Sequence, residues 1–111
     1  MDCIFCKIVA GDIPSDIIYE DDKVIAFKDL SPQAPHHLLI IPRKHIPTVN
    51  DFTPEDALLF GQMGQAAKSI AKQIGVAEDG YRLIVNCNEQ GGQTVFHTHM
   101  HLMAGKRLSW P

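Results

Sequence analysis

The chain has 111 residues, 45% of them hydrophobic and 21% charged, with a formal net charge of -3 at pH 7. That is the make-up of one ordinary globular domain with a modest core, not of a disordered chain. The negative balance argues against a nucleic-acid polymer or an anionic membrane as the main partner, yet leaves room for a locally positive site that takes a small anion.

The start, Met1-Asp2-Cys3-Ile4, has neither the basic residues nor the apolar run of a secretory signal. The longest aliphatic run, Leu38-Leu39-Ile40-Ile41, is far too short to cross a bilayer. Three cysteines are an odd number, and two of them form Cys3-Ile4-Phe5-Cys6. Such usage predicts metal or redox chemistry in a cytoplasmic protein rather than a disulfide-stapled secreted one.

Residues 3–10 are predicted to form a short helix stopped by Gly11, with a turn at Pro14-Ser15. Ile17 to Glu20 reads as a strand, Glu20 to Lys23 as a tight hairpin connection, and Val24 to Phe27 as the returning strand. Two prolines make Ser31 to Pro35 a loop, and Leu38 to Ile41 is a short buried strand closed by Pro42. The one long helix is marked at both ends. Thr53 is its N-cap, Pro54 its first residue, and Glu55 and Asp56 suit the positive end of its dipole. Leu59, Met63, Ala66, Ala67, Ile70 and Ile74 then recur at helical spacing up to the stop at Gly75. Tyr81 to Val85 is a further strand, in which Cys87 just beyond is expected to continue as a small buried apolar residue. Gly91-Gly92 turns the chain into a last strand, Val95 to Met103. No repeat or long linker interrupts residues 1–111, so one domain is expected. Strands in hairpin order around one long helix predict an α+β fold on an antiparallel sheet.

The last strand carries His97, His99 and His101 at alternate positions. A strand sends alternate side chains to one face, so the three imidazoles would line up while Thr98, Met100 and Leu102 face a core. Such a row is either a metal site or a catalytic one. The preceding loop, Asn86-Cys87-Asn88-Glu89-Gln90-Gly91-Gly92-Gln93-Thr94, favours the second reading. Its glycines allow close approach of backbone to a ligand, and Gln93 and Thr94 add hydrogen-bonding side chains, which suits a phosphate.

Gly91 to His101, together with Asp29 to Leu38 and Ile41-Pro42-Arg43-Lys44-His45, resembles the signature of the histidine-triad (HIT) nucleotide-binding family in its Hint branch. The likeness runs to Ser109-Trp110-Pro111. It implies a HIT-like fold: about five antiparallel strands with one long and one short helix, the sheets paired across a homodimer. It also implies hydrolysis or transfer at the α-phosphate of a purine nucleotide or nucleotide conjugate, splitting a P–N bond in an adenosine phosphoramidate or an aminoacyl adenylate. By matching position His99 would be the nucleophile, a role suited to an imidazole that is largely unprotonated near pH 7. His101 would donate to a phosphate oxygen, Thr94 would bond the phosphate or leaving group, and His37 would relay a proton or orient the row. His36 has no matching role and is expected to be solvated. Asp29 would accept the ribose hydroxyls. Ile4, Phe5, Ile8, Phe27 and Leu30 would enclose the base, with Asn86, Gly92 and Gln93 at the phosphate end. Trp110 would reach towards the partner's site.

The resemblance further implies a structural zinc held by Cys3, Cys6, His45 and His97, and no organic cofactor. From the residues alone, a metal-free reduced pair or a redox pair remains open for the cysteines. Two other functions compete with the enzyme: a nucleotide-binding regulator with vestigial catalysis, and a metal-binding module in which the triplet itself holds the ion.

Overall fold

Local sequence chemistry accounts for where each element begins and ends. The computed structural model describes residues 3–110; Met1, Asp2 and Pro111, at the far ends of the two terminal segments singled out above, lie outside them. Helix α1 spans Ile4–Ala10, opened by Cys3, whose Sγ accepts the Cys6 N–H at 3.3 Å, and closed by Gly11 at φ 78°. Strands β1 (Ile17–Glu20) and β2 (Val24–Lys28) form a hairpin. Its turn is tied by Asp21, whose Oδ1 accepts the N–H groups of Lys23 and Val24 at 2.8 Å each. Strand β3 spans His36–Pro42, helix α2 Ala57–Gln73, strand β4 Tyr81–Val85 and strand β5 Met100–Ala104.

The five strands make one sheet in the order β1-β2-β3-β5-β4, every neighbouring pair antiparallel. The chain leaves β3, crosses through α2 to the far edge as β4, and returns as β5 into the gap. The histidine-bearing strand thus lies inside the sheet, with Leu39 and Ile84 opposite His101 on its two sides.

Alternation then sorts residues onto two faces. Val24, Ala26, Leu38, Ile40, Met100, Leu102 and Ala104 pack with Met63, Ala66, Ala67, Ile70 and Ala71 of α2. Ile25, Phe27, Leu39 and Ile41 face the other way and pack with Phe5 and Ile8 of α1.

Four expectations are corrected. The last strand begins at Met100, not Val95, because the run before it is tied elsewhere: Thr98 N–H and Oγ1 both donate to Ile46 O at 2.8 Å, outside any strand ladder. Strand β3 begins at His36 instead of Leu38, since His36 and His37 pair with Ala104 and Met103. The long helix opens with a 3-10 turn, Pro54–Asp56, in which Thr53 N–H and Oγ1 donate to the Asp56 carboxylate at 2.9 and 3.0 Å. Cys87 lies beyond β4 and is only half-buried, so it is not a core residue. Short 3-10 turns at Val49–Asp51 and Glu89–Gly91 were not foreseen.

Candidate active site

Helix α1 is only 7 residues long and covers part of its face, leaving an open cavity of about 290 Å³. The five apolar residues expected around a base, Ile4, Phe5, Ile8, Phe27 and Leu30, all line it. So do Asp29, Thr94, His99 and His101. Ile13, Pro14, Ser15, Lys28, Leu39 and Val95 complete the wall. Sequence reading missed these six. Leu39 could have been found from its alternation with Phe27 across β2 and β3, but the Ile13–Ser15 segment carries no signal of its own.

The backbone fixes which nitrogen of each imidazole carries a proton. A carbonyl oxygen only accepts, so a ring nitrogen bonded to one must be protonated. His99 Nδ1 donates to His97 O at 2.8 Å, leaving its Nε2 with the lone pair. His97 Nε2 donates to Pro42 O at 2.7 Å, leaving its Nδ1 with the lone pair. On the next strand the Gln33 N–H donates to His37 Nδ1 at 3.0 Å, which places the His37 proton on Nε2. That Nε2–H donates to His101 Nδ1 at 2.9 Å, with Asp29 Oδ2 also 3.4 Å from it. His101 therefore carries its own proton on Nε2. Burial, followed by the neighbouring His99 and His37, pushes the His101 pKa down to about 4, so the ring is a neutral donor near pH 7. Phe5 stands edge-on to His99 and His97, with centroids 5.2 and 5.9 Å apart, and His99 meets His101 at 5.0 Å.

His97, fully buried, turns its free Nδ1 away from the cavity towards Cys3 and Cys6. Nδ1 lies 3.4 Å from Cys3 Sγ, 3.5 Å from Cys6 Sγ and 3.3 Å from His45 Nδ1, which is itself 3.3 Å from Cys6 Sγ. All four ligand atoms fall within 4.8 Å of one another. A tetrahedral zinc with ordinary bond lengths separates ligand nitrogens by about 3.3 Å and nitrogen from sulfur by about 3.6 Å. The donor set and its spacing fit that ion. Burial and the adjacent Cys3 raise the Cys6 pKa, the direction expected of crowded thiols. The triplet does not converge on one ion: His97 belongs to this cluster, and His101 to a separate one with Asp29 and His37.

The remaining predicted residues fall at the margins. Gln93 is buried, and its amide is spent on Asn88, Pro47 and Val95, so its side chain does not face the cavity as expected. Asn86 Nδ2 donates to Gly91 O at 2.6 Å and braces the glycine loop, in which Gly92 has φ 85°. His36 is exposed, as expected of a residue without a role. Trp110 is 92% exposed, on a tail held by Arg82, whose guanidinium donates to Ser109 O and Leu108 O at 2.7 and 3.2 Å.

Residues 10–108 match the family model of the HIT domain, and the chain belongs to that family. Over 105 residues it is 58% identical to the purine nucleoside phosphoramidase of Escherichia coli K12, a match that covers 95% of this chain and 88% of that protein. Two crystal structures share the fold at a TM-score of 0.97. One is a HIT family hydrolase from Legionella pneumophila, 48% identical with 99% and 98% of the two chains covered. The other is a histidine triad protein from Clostridium difficile, 45% identical with 100% and 96% covered.

Proposed function

We propose that residues 1–111 form one HIT domain that hydrolyses purine nucleoside phosphoramidates to the nucleoside monophosphate and the free amine. The observation that carries this reading is the orientation of His99, whose Nδ1 is tied to His97 O so that Nε2 is the nitrogen left for phosphorus, at a cavity that also contains a carboxylate and an apolar slot. The base lies among Phe5, Ile8 and Phe27, and Asp29 accepts from the ribose hydroxyls. His99 Nε2 attacks the α-phosphorus; an N–P bond forms, the P–N bond to the leaving group breaks, and the departing nitrogen takes a proton from solvent water beside the Thr94 hydroxyl, a proton that the hydrolytic water of the second step returns to solvent. The Nε2–H of His101 stabilises the charge gathering on a phosphate oxygen. Water then attacks the same phosphorus, releases the monophosphate and returns His99 to its starting state.

A zinc ion at Cys3, Cys6, His45 and His97 would brace the nucleophile through His97 and carry no step of the reaction. The open edge of β4, with Tyr81 and Leu83 exposed, supports pairing of two sheets in a homodimer, and the exposed Trp110 supports its reach towards the partner. Reduced cysteines suit a cytoplasmic setting, and no helix among the described residues is long and apolar enough to cross a membrane. The direct test is turnover of adenosine and guanosine phosphoramidates by the intact protein. Release of monophosphate and amine is the expected result; tight binding without turnover would sink the hydrolase reading in favour of a nucleotide-binding regulator.

A further inference from the structure

Among the described residues one non-glycine residue has a positive φ: Asn88, at φ 62° and ψ -175°. That combination belongs to a region of backbone space that is nearly glycine-only, and a side chain there persists only when its surroundings hold it. The holding contact is Gln93. Its Oε1 accepts the Asn88 N–H at 2.8 Å while its own N–H donates to Asn88 O at 3.1 Å, so the two residues close the glycine loop reciprocally. The Nε2 end of the same amide donates to Pro47 O at 2.7 Å and to Val95 O at 3.0 Å. One buried side chain thus joins three pieces of backbone: the loop, the segment after β3, and the run that leads to His99.

We propose that Gln93 is a positioning residue, one that fixes the loop and Thr94 against the nucleophile without touching substrate. The hydrogen-bond capacity of its amide is already taken up within the protein. The carbonyl oxygen of the amide takes one donor and both N–H groups have acceptors, all on the protein, so neither N–H is left for a phosphate. Without the amide, Asn88 can relax into ordinary extended backbone, and the residues between it and Thr94 move with it. The cost falls on alignment of the attack, because displacement of about 1 Å can reduce turnover by up to about 100-fold. The inference rests on the phosphoramidase reading of the site.

The test compares Gln93→Met, Gln93→Asn and Asn88→Gly, singly and with each Gln93 change combined with Asn88→Gly. The assay measures kcat and KM for adenosine phosphoramidate, alongside thermal unfolding. Wild-type turnover that disappears in His99→Ala establishes the reading on which the inference rests, independently of the Gln93 results. Either Gln93 change is expected to lower kcat by about 10- to 100-fold with little change in KM. Adding Asn88→Gly should then restore about threefold or more, because glycine takes the strained conformation without the brace. Gln93→Asn is the shorter amide and serves if Gln93→Met does not fold. Three outcomes overturn the proposal: a KM rise with kcat retained, which would mean direct substrate contact; a lower unfolding temperature with kcat unchanged; and a kcat loss that Asn88→Gly does not relieve.

Discussion

The two faces of this sheet are built from the same strands and have opposite characters. One lies under the 17-residue α2 and is filled by aliphatic and small side chains, most of them with no exposure at all. The other lies under the 7-residue α1, which covers too little of it, and carries the imidazoles, the carboxylate and the cavity. Within β5 the division is residue by residue: Met100, Leu102 and Ala104 serve the closed face and His101 the open one. Chemistry sits where the cover is incomplete, and the complete cover opposite holds the strands rigidly enough to aim it.

The difference is sharpest in single substitutions. On the open face, His99→Ala should lower kcat for an adenosine phosphoramidate by at least about 1000-fold while leaving the unfolding temperature close to wild type. A variant within tenfold of wild type would show that another group attacks phosphorus. On the closed face, Ile70→Ala should do the reverse. Ile70 is fully buried in the cluster between α2 and the sheet, so about 2–5 kcal/mol of stability should be lost, with kcat of the folded fraction retained. Ile8→Ala separates the faces by mixed effects. One side of Ile8 already borders the cavity, so the loss of stability should stay below about 2 kcal/mol. Its KM should rise about fivefold through lost apolar contact with the base. Denaturant unfolding and steady-state kinetics on both variants decide it; equal destabilisation would mean that the faces are packed alike.

How much of this was legible in the sequence follows the same division. The closed face was readable because burial against α2 imposes a strict period: Met63, Ala66, Ala67 and Ile70 were placed from spacing alone. The open face was readable in its chemistry, since imidazoles, a CxxC pair and a glycine loop are rare enough to stand out. Gln93 and His97 were placed less well by the residues themselves. An amide beside a glycine loop gives no sign whether it turns outward to a ligand or inward to Pro47 and Val95. Equal spacing of three histidines likewise cannot say that His97 faces Cys3 while His101 faces His37. Those choices depend on carbonyls far along the chain, Pro42 and Ile46 among them, which no local pattern encodes.

The thiol–imidazole cluster ties the N-terminus of α1 to the open face, so removing metal should weaken that face first. Elemental analysis of protein purified without chelator should find about one zinc per chain. Stripping it, or Cys6→Ser, should lower the unfolding temperature by about 5–10 °C and raise KM more than Ile70→Ala does, because α1 walls the cavity. No bound metal, together with an unchanged unfolding temperature in Cys6→Ser, would separate the cluster from the stability of this face.

The smallest expected effect is one of pH, and it too distinguishes the faces. In the folded chain the His101 pKa is depressed to about 4 from an ordinary 6.5, chiefly by burial. As pH falls, the unfolded chain takes up this proton first, so the contribution to stability is whole above about 6.5 and is lost as pH falls towards about 4. Proton uptake by the Cys3, Cys6, His45 and His97 cluster, coupled to release of its metal, would add a slope of its own, so the wild-type decline contains both. His101→Gln should flatten the decline without abolishing it, read from urea midpoints across that range. Ile70→Ala should shift the whole curve down with its slope intact, because no proton is bound or released at the closed face. If His101→Gln leaves the slope unchanged, the ring is not held neutral by its surroundings, and the donor role of Nε2 loses its basis.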